Sequence, residues 1–318
     1  MPPLVSICIP TYNMAQYLAA AVESALAQEV DDLEVVVADD ASTDETPELC
    51  RRYDDRRFRV VRSEVQLRQA GNWNRCLDLA RGELIVLLHA DDLLRPGFAA
   101  AASRRLLDAP ACSFVHCAVE HIDAAGHLMN VQRLHEADVV EPGPEMFARL
   151  ATRGCVINPA GVMVRRTAYE KAGRFTEQVA WGVDWHMWMR LALQGSVAYL
   201  ADALAAYRHH GASGTEKVIA SARHVRDEEW VIRDIFDRLP PAQTNRDELL
   251  SEARRSSAQR MWYLAEEACR RGHGAATRTS LAGAVRFDRG LLRRPAVWAL
   301  WVASWAGYPW LERLRRLR

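Results

Sequence analysis

The sequence predicts an α/β protein, a mostly parallel sheet flanked by helices, with a helical extension at its C-terminal end. Three observations carry this. Strand-like and helix-like stretches alternate with short connections through the first third of the chain. The strand-like stretches are continuous apolar runs, the pattern of strands covered on both faces. Beyond about residue 216 the chain turns to Ala, Arg, Glu and Leu in helical spacing. The expected domains are an α/β domain over 1–215, in two halves over 1–110 and 111–215, and a helical region over 216–318.

Taken in order, the β-branched run at 5–9 is a strand ended by Pro10, and 15–27 has helical spacing. A second buried run covers 33–38, and a helix starts near 43–45, where Ser42 and Thr43 are good capping residues. A short strand at 58–61, a helix at 71–80 and a strand at 84–88 complete a β-α-β-α-β series. In the second half, 184–193 reads as a helix with Trp185, Trp188, Met189 and Ala192 on its apolar face, followed by a strand around 197–200. The helical region carries a break at Pro240 and Pro241 and a loop at 271–274.

Bulk properties narrow the function. The 318 residues are 49% hydrophobic, enough for a substantial core, and 41 basic residues balance 41 acidic ones, which argues against a nucleic-acid partner. Seven cysteines, odd in number and without a CxxC pair, read as small core residues of a chain in a reducing compartment, the cytoplasm. The N-terminal residues carry no basic and apolar leader pattern.

Polar clusters fall at the carboxyl ends of the predicted strands: Thr11, Tyr12 and Asn13 after the first, Asp39 and Asp40 after the second, Asp91 and Asp92 after the fourth. In an open parallel sheet that rim is where ligands bind. Adjacent carboxylates repel and raise each other's pKa unless a cation lies between them. Hard divalent ions, Mg²⁺ or Mn²⁺, resolve the conflict and fill the rest of their shell with water and a substrate's phosphates, so the pair implies a bound diphosphate. Neither GxxxxGK[ST] nor a GxGxxG after the first strand occurs, so neither a P-loop nor a dinucleotide fingerprint is present.

The stretches VSICIPTYN, VVVADDASTDET and GNWNRCLDLARGELIVLLHADDLLRPG, followed by NPAGVMVRRTAYEKAGRFTE and VDWHMWMRLALQGSVAYLADALAAYRHH, resemble the inverting family 2 nucleotide-sugar glycosyltransferases of GT-A fold over roughly residues 4–215. The resemblance implies that Pro10, Thr11, Tyr12 and Asn13 line the nucleoside of a UDP-sugar, that Asp39 accepts a hydrogen bond from the base, and that Asp40 supports that loop. It further implies that Asn72 and Asn74 touch the nucleotide, that Asp91 lies near the sugar or ribose, and that Asp92 with Asp91 and His210 serves the metal. Arg208 would close over the diphosphate. The metal motif is often Asp-x-Asp, whereas here its first position is His89, either a ligand or a hydrogen-bonded core residue.

The resemblance makes Asp184 the catalytic base, although Val183 stands where the family carries a second acid. On the residues alone Asp184 is also a plausible helix cap, and both roles fit, since the helix dipole keeps the carboxylate ionised. The implied reaction is metal-assisted sugar transfer from a nucleotide sugar to a hydroxyl of a saccharide or lipid-linked acceptor, with inversion, in polysaccharide, cell-envelope or glycolipid synthesis. Two rivals remain: a nucleotidyltransferase, which would carry a glycine-rich basic loop after its first strand, and a catalytically silent sugar-nucleotide binder. Trp181 is an acceptor platform or a packing residue. Finally, the apolar run at 296–308 with Arg313, Arg315, Arg316 and Arg318 behind it is too short to span a bilayer. It reads either as a helix docked on the protein or as one lying peripherally in the membrane interface through 296–318.

Overall fold

A computed structural model describes residues 3–210, 220–239 and 245–306. These fall into two compact units. The first holds the residues up to Phe147, Cys155–Glu177 and Met187–His210; the second holds Ala148–Gly154, Gln178–His186 and the described residues beyond His210.

In the first unit β1 (Val5–Thr11), α1 (Ala15–Leu26), β2 (Leu33–Asp39), α2 (Thr46–Cys50), β3 (Phe58–Arg62), α3 (Arg68–Leu79) and β4 (Leu84–Leu87) follow one another. β1, β2 and β4 are buried along nearly their whole length, the reason their runs are apolar without alternation. Glu34 is the exception that fits: its buried carboxylate accepts from Ser6 Oγ at 2.6 Å, Arg81 N at 2.7 Å and Arg59 Nε at 3.2 Å. Then come β5 (Leu93–Leu94), α4 (Phe98–Asp108), β6 (Cys112–Ile122), β7 (Leu128–Gln132), β8 (Val139–Glu141), α5 (Gly143–Arg153), β9 (Val162–Arg165), α6 (Arg166–Ala172), α7 (Val183–Ala192) and β10 (Ser196–Arg208), of which α5 from Ala148 onward and α7 up to His186 belong to the second unit.

The sheet order is β3-β2-β1-β4-β9-β6-β10-β5, with β7 added to β6 and β8 to β10. β3, β2, β1 and β4 run parallel, as do β6 and β10, and β9 joins the two groups antiparallel. The chain winds outward from β1 to β3 and then returns to its other side at β4, so the carboxyl ends of β1, β2 and β4 share a topological switch point. The core beneath them combines Ile7, Ile9, Leu18, Val22, Val35, Val37, Val86 and Leu88 with Phe98 and Leu106.

Three local expectations change. Pro10 lies inside β1; pairing with β4 ends at Cys8, so the last part of β1 has a ladder only with β2 and a residue lacking N–H is tolerated there. α2 begins at Thr46, later than 43–45, because Ser42 and Thr43 bond Asn13 and the N–H of Thr46 goes to Asp44 Oδ1 at 3.1 Å. β10 extends over 13 residues, far beyond 197–200, since β6, β5 and β8 all pair with it. Six cysteines are buried, whereas Cys155 is exposed.

In the second unit, α8 (Arg223–Asp237), α9 (Arg246–Arg270), α10 (Gly274–Phe287) and α11 (Pro295–Ala306) surround a core of Val225, Ala258, Met261, Leu281, Ala284, Val297 and Leu300. The expected loop at 271–274 separates α9 from α10, while Pro240 and Pro241 lie outside the described residues.

Candidate active site

The sequence-named site residues belong to the first unit, except Asp184 and Trp181. The loop after β1 turns on Asn13, held in the left-handed region at φ 54°, which Asn tolerates better than most residues. Its N–H donates to Ser42 Oγ at 3.0 Å and its Oδ1 accepts from Thr43 N at 2.7 Å, so the loops after β1 and β2 are tied together. Asp44 adds a further tie by accepting from Ala15 N at 3.0 Å. Tyr12, at the tip, is 40% exposed.

Asp39 is buried, with Oδ1 accepting from Ser42 N at 2.9 Å and Oδ2 from Arg62 Nη1 at 3.0 Å. Asp40 accepts from the backbone N–H groups of Leu67 and Arg68, at 2.7 and 2.9 Å, and thereby anchors the start of α3. Asn72 donates to Ala38 O at 2.9 Å. Asn74 is engaged at both ends of its amide by Phe175, donating to its carbonyl at 3.0 Å and accepting from its N–H at 2.8 Å.

Around the end of β4 the geometry tightens. Asp92 is fully buried; its Oδ1 accepts the backbone N–H of Arg208 at 2.9 Å, and its Oδ2 has no hydrogen-bond partner among the described residues. His89 Nδ1 stands 3.6 Å from that orphaned oxygen, its ring stacked on Trp73 with centroids 5.0 Å apart. Burial, and next the charge of Asp91, push the Asp92 carboxyl well above the ordinary carboxylate range, against the opposing pull of Arg208. Asp91 Oδ2 lies 2.9 Å from His210 Nε2, and Asp91's carbonyl accepts from Arg208 Nε at 2.9 Å. The Arg208 guanidinium also reaches the carbonyls of Asp123 and Ala124, at 3.3 and 3.2 Å, and sits 4.9 Å above the Tyr17 ring, against which His210 also packs. His209 turns the other way, its Nε2 2.7 Å from His121 Nδ1.

One donor atom each from His89, Asp91 and Asp92 lies within 4.8 Å of the others, close enough to share a divalent cation. His210 is attached to this set through Asp91. The chemistry fits: two carboxylates supply hard oxygen donors, and the buried Oδ2 of Asp92 lacks a proton donor that a cation would replace. Buried Thr11 Oγ1 and Asn72 Oδ1 are likewise without a partner among the described residues.

In the second unit Asp184 sits in the first turn of α7, one residue past its start at Val183, and accepts from Trp185 N at 2.8 Å. Trp185 and Trp188 are buried, and Trp181 is half-buried. Trp181, Thr152, Arg153, Gln259 and Tyr263 line an open cavity of about 530 Å³. Arg62 and Tyr17, which hold Asp39 and the Arg208 and His210 pair, lie outside the quoted motifs, and Trp73, which stacks on His89, lies inside one but is given no role by it; only the basic residue ending β3 beside an acidic rim hints at the first.

A family model described as glycosyl transferase family 2 matches residues 6–173. An uncharacterized protein of Mycobacterium tuberculosis (strain CDC 1551 / Oshkosh) is 33% identical over 245 residues, 73% of this chain and 76% of that protein. Among solved structures, S. aureus TarS 1–349 in complex with UDP-GlcNAc has a TM-score of 0.69 at 17% identity, over 98% of this chain and 91% of that one. The mannosyltransferase PcManGT from Pyrobaculum calidifontis, in complex with GDP-Man and Mn²⁺, has a TM-score of 0.59 at 19% identity, over 98% and 85%. At these identities the likeness to the solved structures is one of fold.

Proposed function

The chain belongs to glycosyl transferase family 2, and from that premise we propose that it moves a sugar from a uridine diphosphate sugar to a hydroxyl of a saccharide or lipid-linked acceptor, with inversion, using a divalent cation held by His89, Asp91 and Asp92. The observation that carries this is Asp92: a buried carboxylate beside a second one, with one oxygen fixed by Arg208 N–H and the other left without a proton donor among the described residues. Such a group is costly in a folded protein unless a cation or ligand completes it.

When bound, Mn²⁺ or Mg²⁺ offsets the charge that builds on the departing diphosphate. The remaining work falls to the chain. Arg208 holds the Asp91 carbonyl and Asp92 Oδ1 together, and His210 fixes Asp91 Oδ2, so both carboxylates are oriented before substrate arrives. Asp39, oriented by Arg62 and Ser42 N–H, accepts from the uracil, with Pro10, Thr11, Tyr12 and Asn13 along the nucleoside and Asn72 beside it. Asp40 and Asn74 hold the loops that frame this pocket. Asp184, at the positive end of the α7 dipole, takes the proton of the acceptor hydroxyl as that oxygen attacks the anomeric carbon from the face opposite the diphosphate. No protein acid is required, because the diphosphate leaves as an anion.

Incubation with UDP-sugars and Mn²⁺ tests the reading. UDP release that needs the cation, that disappears in Asp184→Asn while UDP binding persists, and that yields product of inverted configuration is the expected result. Binding without turnover would favour the catalytically silent alternative, and retained configuration would overturn the mechanism.

A further inference from the structure

We infer that the chain docks on an anionic bilayer surface, laying one face of α11 in the lipid interface; this goes beyond the transfer reaction and does not depend on it. α11 is 12 residues long, and no helix of the described residues is long and apolar enough to cross a membrane. One of its stripes, Val297, Leu300 and Ala303, is packed in the core of the second unit, which fixes the orientation of the helix. The other stripe is large, apolar and open: Trp298 is 56% exposed, Trp301 37%, Val302 45% and Trp305 72%. These positions follow one another as i, i+3, i+4 and i+7, so they form one contiguous face, which exposed Leu292 extends. Soluble surfaces rarely leave such a cluster of tryptophan uncovered, and the indole is the side chain most at home at the level of lipid headgroups.

The rings are already set for that role. Trp298 Nε1–H donates to Leu292 O at 2.9 Å, so its polar atom is satisfied, and the Arg278 guanidinium lies 3.7 Å from the Trp305 ring centroid, a cation beside an interfacial aromatic.

Charge decides what covers the face. Exposed Arg289, Arg293 and Arg294 precede α11, and the sequence after it adds Arg313, Arg315, Arg316 and Arg318 against one acidic residue, Glu312, in a chain that is neutral as a whole. A second copy seated on the same face by two-fold symmetry would set Arg289, Arg293 and Arg294 against their own kind. A surface of anionic lipid neutralises them and takes up the tryptophans together.

The test is co-sedimentation of the full chain with vesicles of phosphatidylcholine alone and of phosphatidylcholine with phosphatidylglycerol, at low and high salt, with tryptophan emission as a second readout. The expected result is binding at least about tenfold stronger to the anionic vesicles, weakened by salt, with a blue shift of emission. The triple variant Trp298→Ser, Trp301→Ser, Trp305→Ser, whose side chains are outside the core, should keep the far-ultraviolet dichroism of the parent and lose the binding, and Arg293→Gln with Arg294→Gln should weaken it. No binding to either vesicle overturns the inference. So does equal binding by the triple variant, or a concentration-dependent dimer in light scattering that the triple variant abolishes.

Discussion

At the scale of single residues, Asp92 is the group whose state the account constrains most. Buried, beside Asp91 and with Oδ2 unpartnered among the described residues, its charge is unfavourable without a cation. Asp92→Asn should therefore cost little stability in metal-free buffer. Mn²⁺ at about a hundredfold excess over its Kd should raise the parent's melting temperature by on the order of 5 °C and leave the variant's unchanged. In the second unit, Glu228 is pushed up by burial, with Arg260 opposing; Arg260 Nε lies 2.9 Å from its Oε1. Arg260→Ala leaves a buried carboxylate unpaired and should cost about 3–5 kcal/mol at neutral pH. Because the folded carboxyl then binds a proton more readily than the unfolded one, that loss should shrink as the pH falls toward 4.5, the ordinary glutamate value, in urea titrations. Asp234 has the opposite sign. Burial raises it, but the hydrogen bonds from Arg238 and His186 outweigh burial and hold it below 3.8. Its stabilising contribution is present at neutral pH and is lost as acid protonates it, so Asp234→Asn should flatten the acid limb of the stability curve.

At the scale of elements, β1, β2 and β4 were legible because burial on both faces leaves largely apolar runs, and the rim residues because they stand at the ends of those runs. β6 was not legible. CSFVHCAVEHI carries His116, Glu120 and His121, polar residues accommodated by tertiary partners that sequence spacing does not reveal: Tyr199 against His116, Arg95 on Glu120, and Gln132 and His209 on His121. The start of α2 was misplaced for a related reason, since Ser42 and Thr43 have a long-range partner in Asn13 that competes with capping. Likewise, β-pairing from three neighbours, not propensity, sets the length of β10. Close backbone approach is equally hidden. A Cβ at Gly143, the first residue of α5, would stand 2.0 Å from Ala192 O and 2.3 Å from Gly195 O. Backbone cannot move aside as a side chain can, so Gly143→Ala should lower stability by about 2–3 kcal/mol, read as a shift in the urea midpoint.

At the scale of the whole molecule, the residues proposed for the nucleotide and the cation lie in the first unit, and Asp184, expected within a single domain over 1–215, lies in a segment of the second. The central claim is that a cation joins His89, Asp91 and Asp92 to the diphosphate of the donor. Calorimetric titration of UDP into the chain, with Mn²⁺ and then with Mn²⁺ removed by chelation, tests it most directly. The account predicts heat of binding only with the cation present, and its loss in Asp92→Asn. UDP bound with the same affinity in chelator, or unaffected by that substitution, would contradict it.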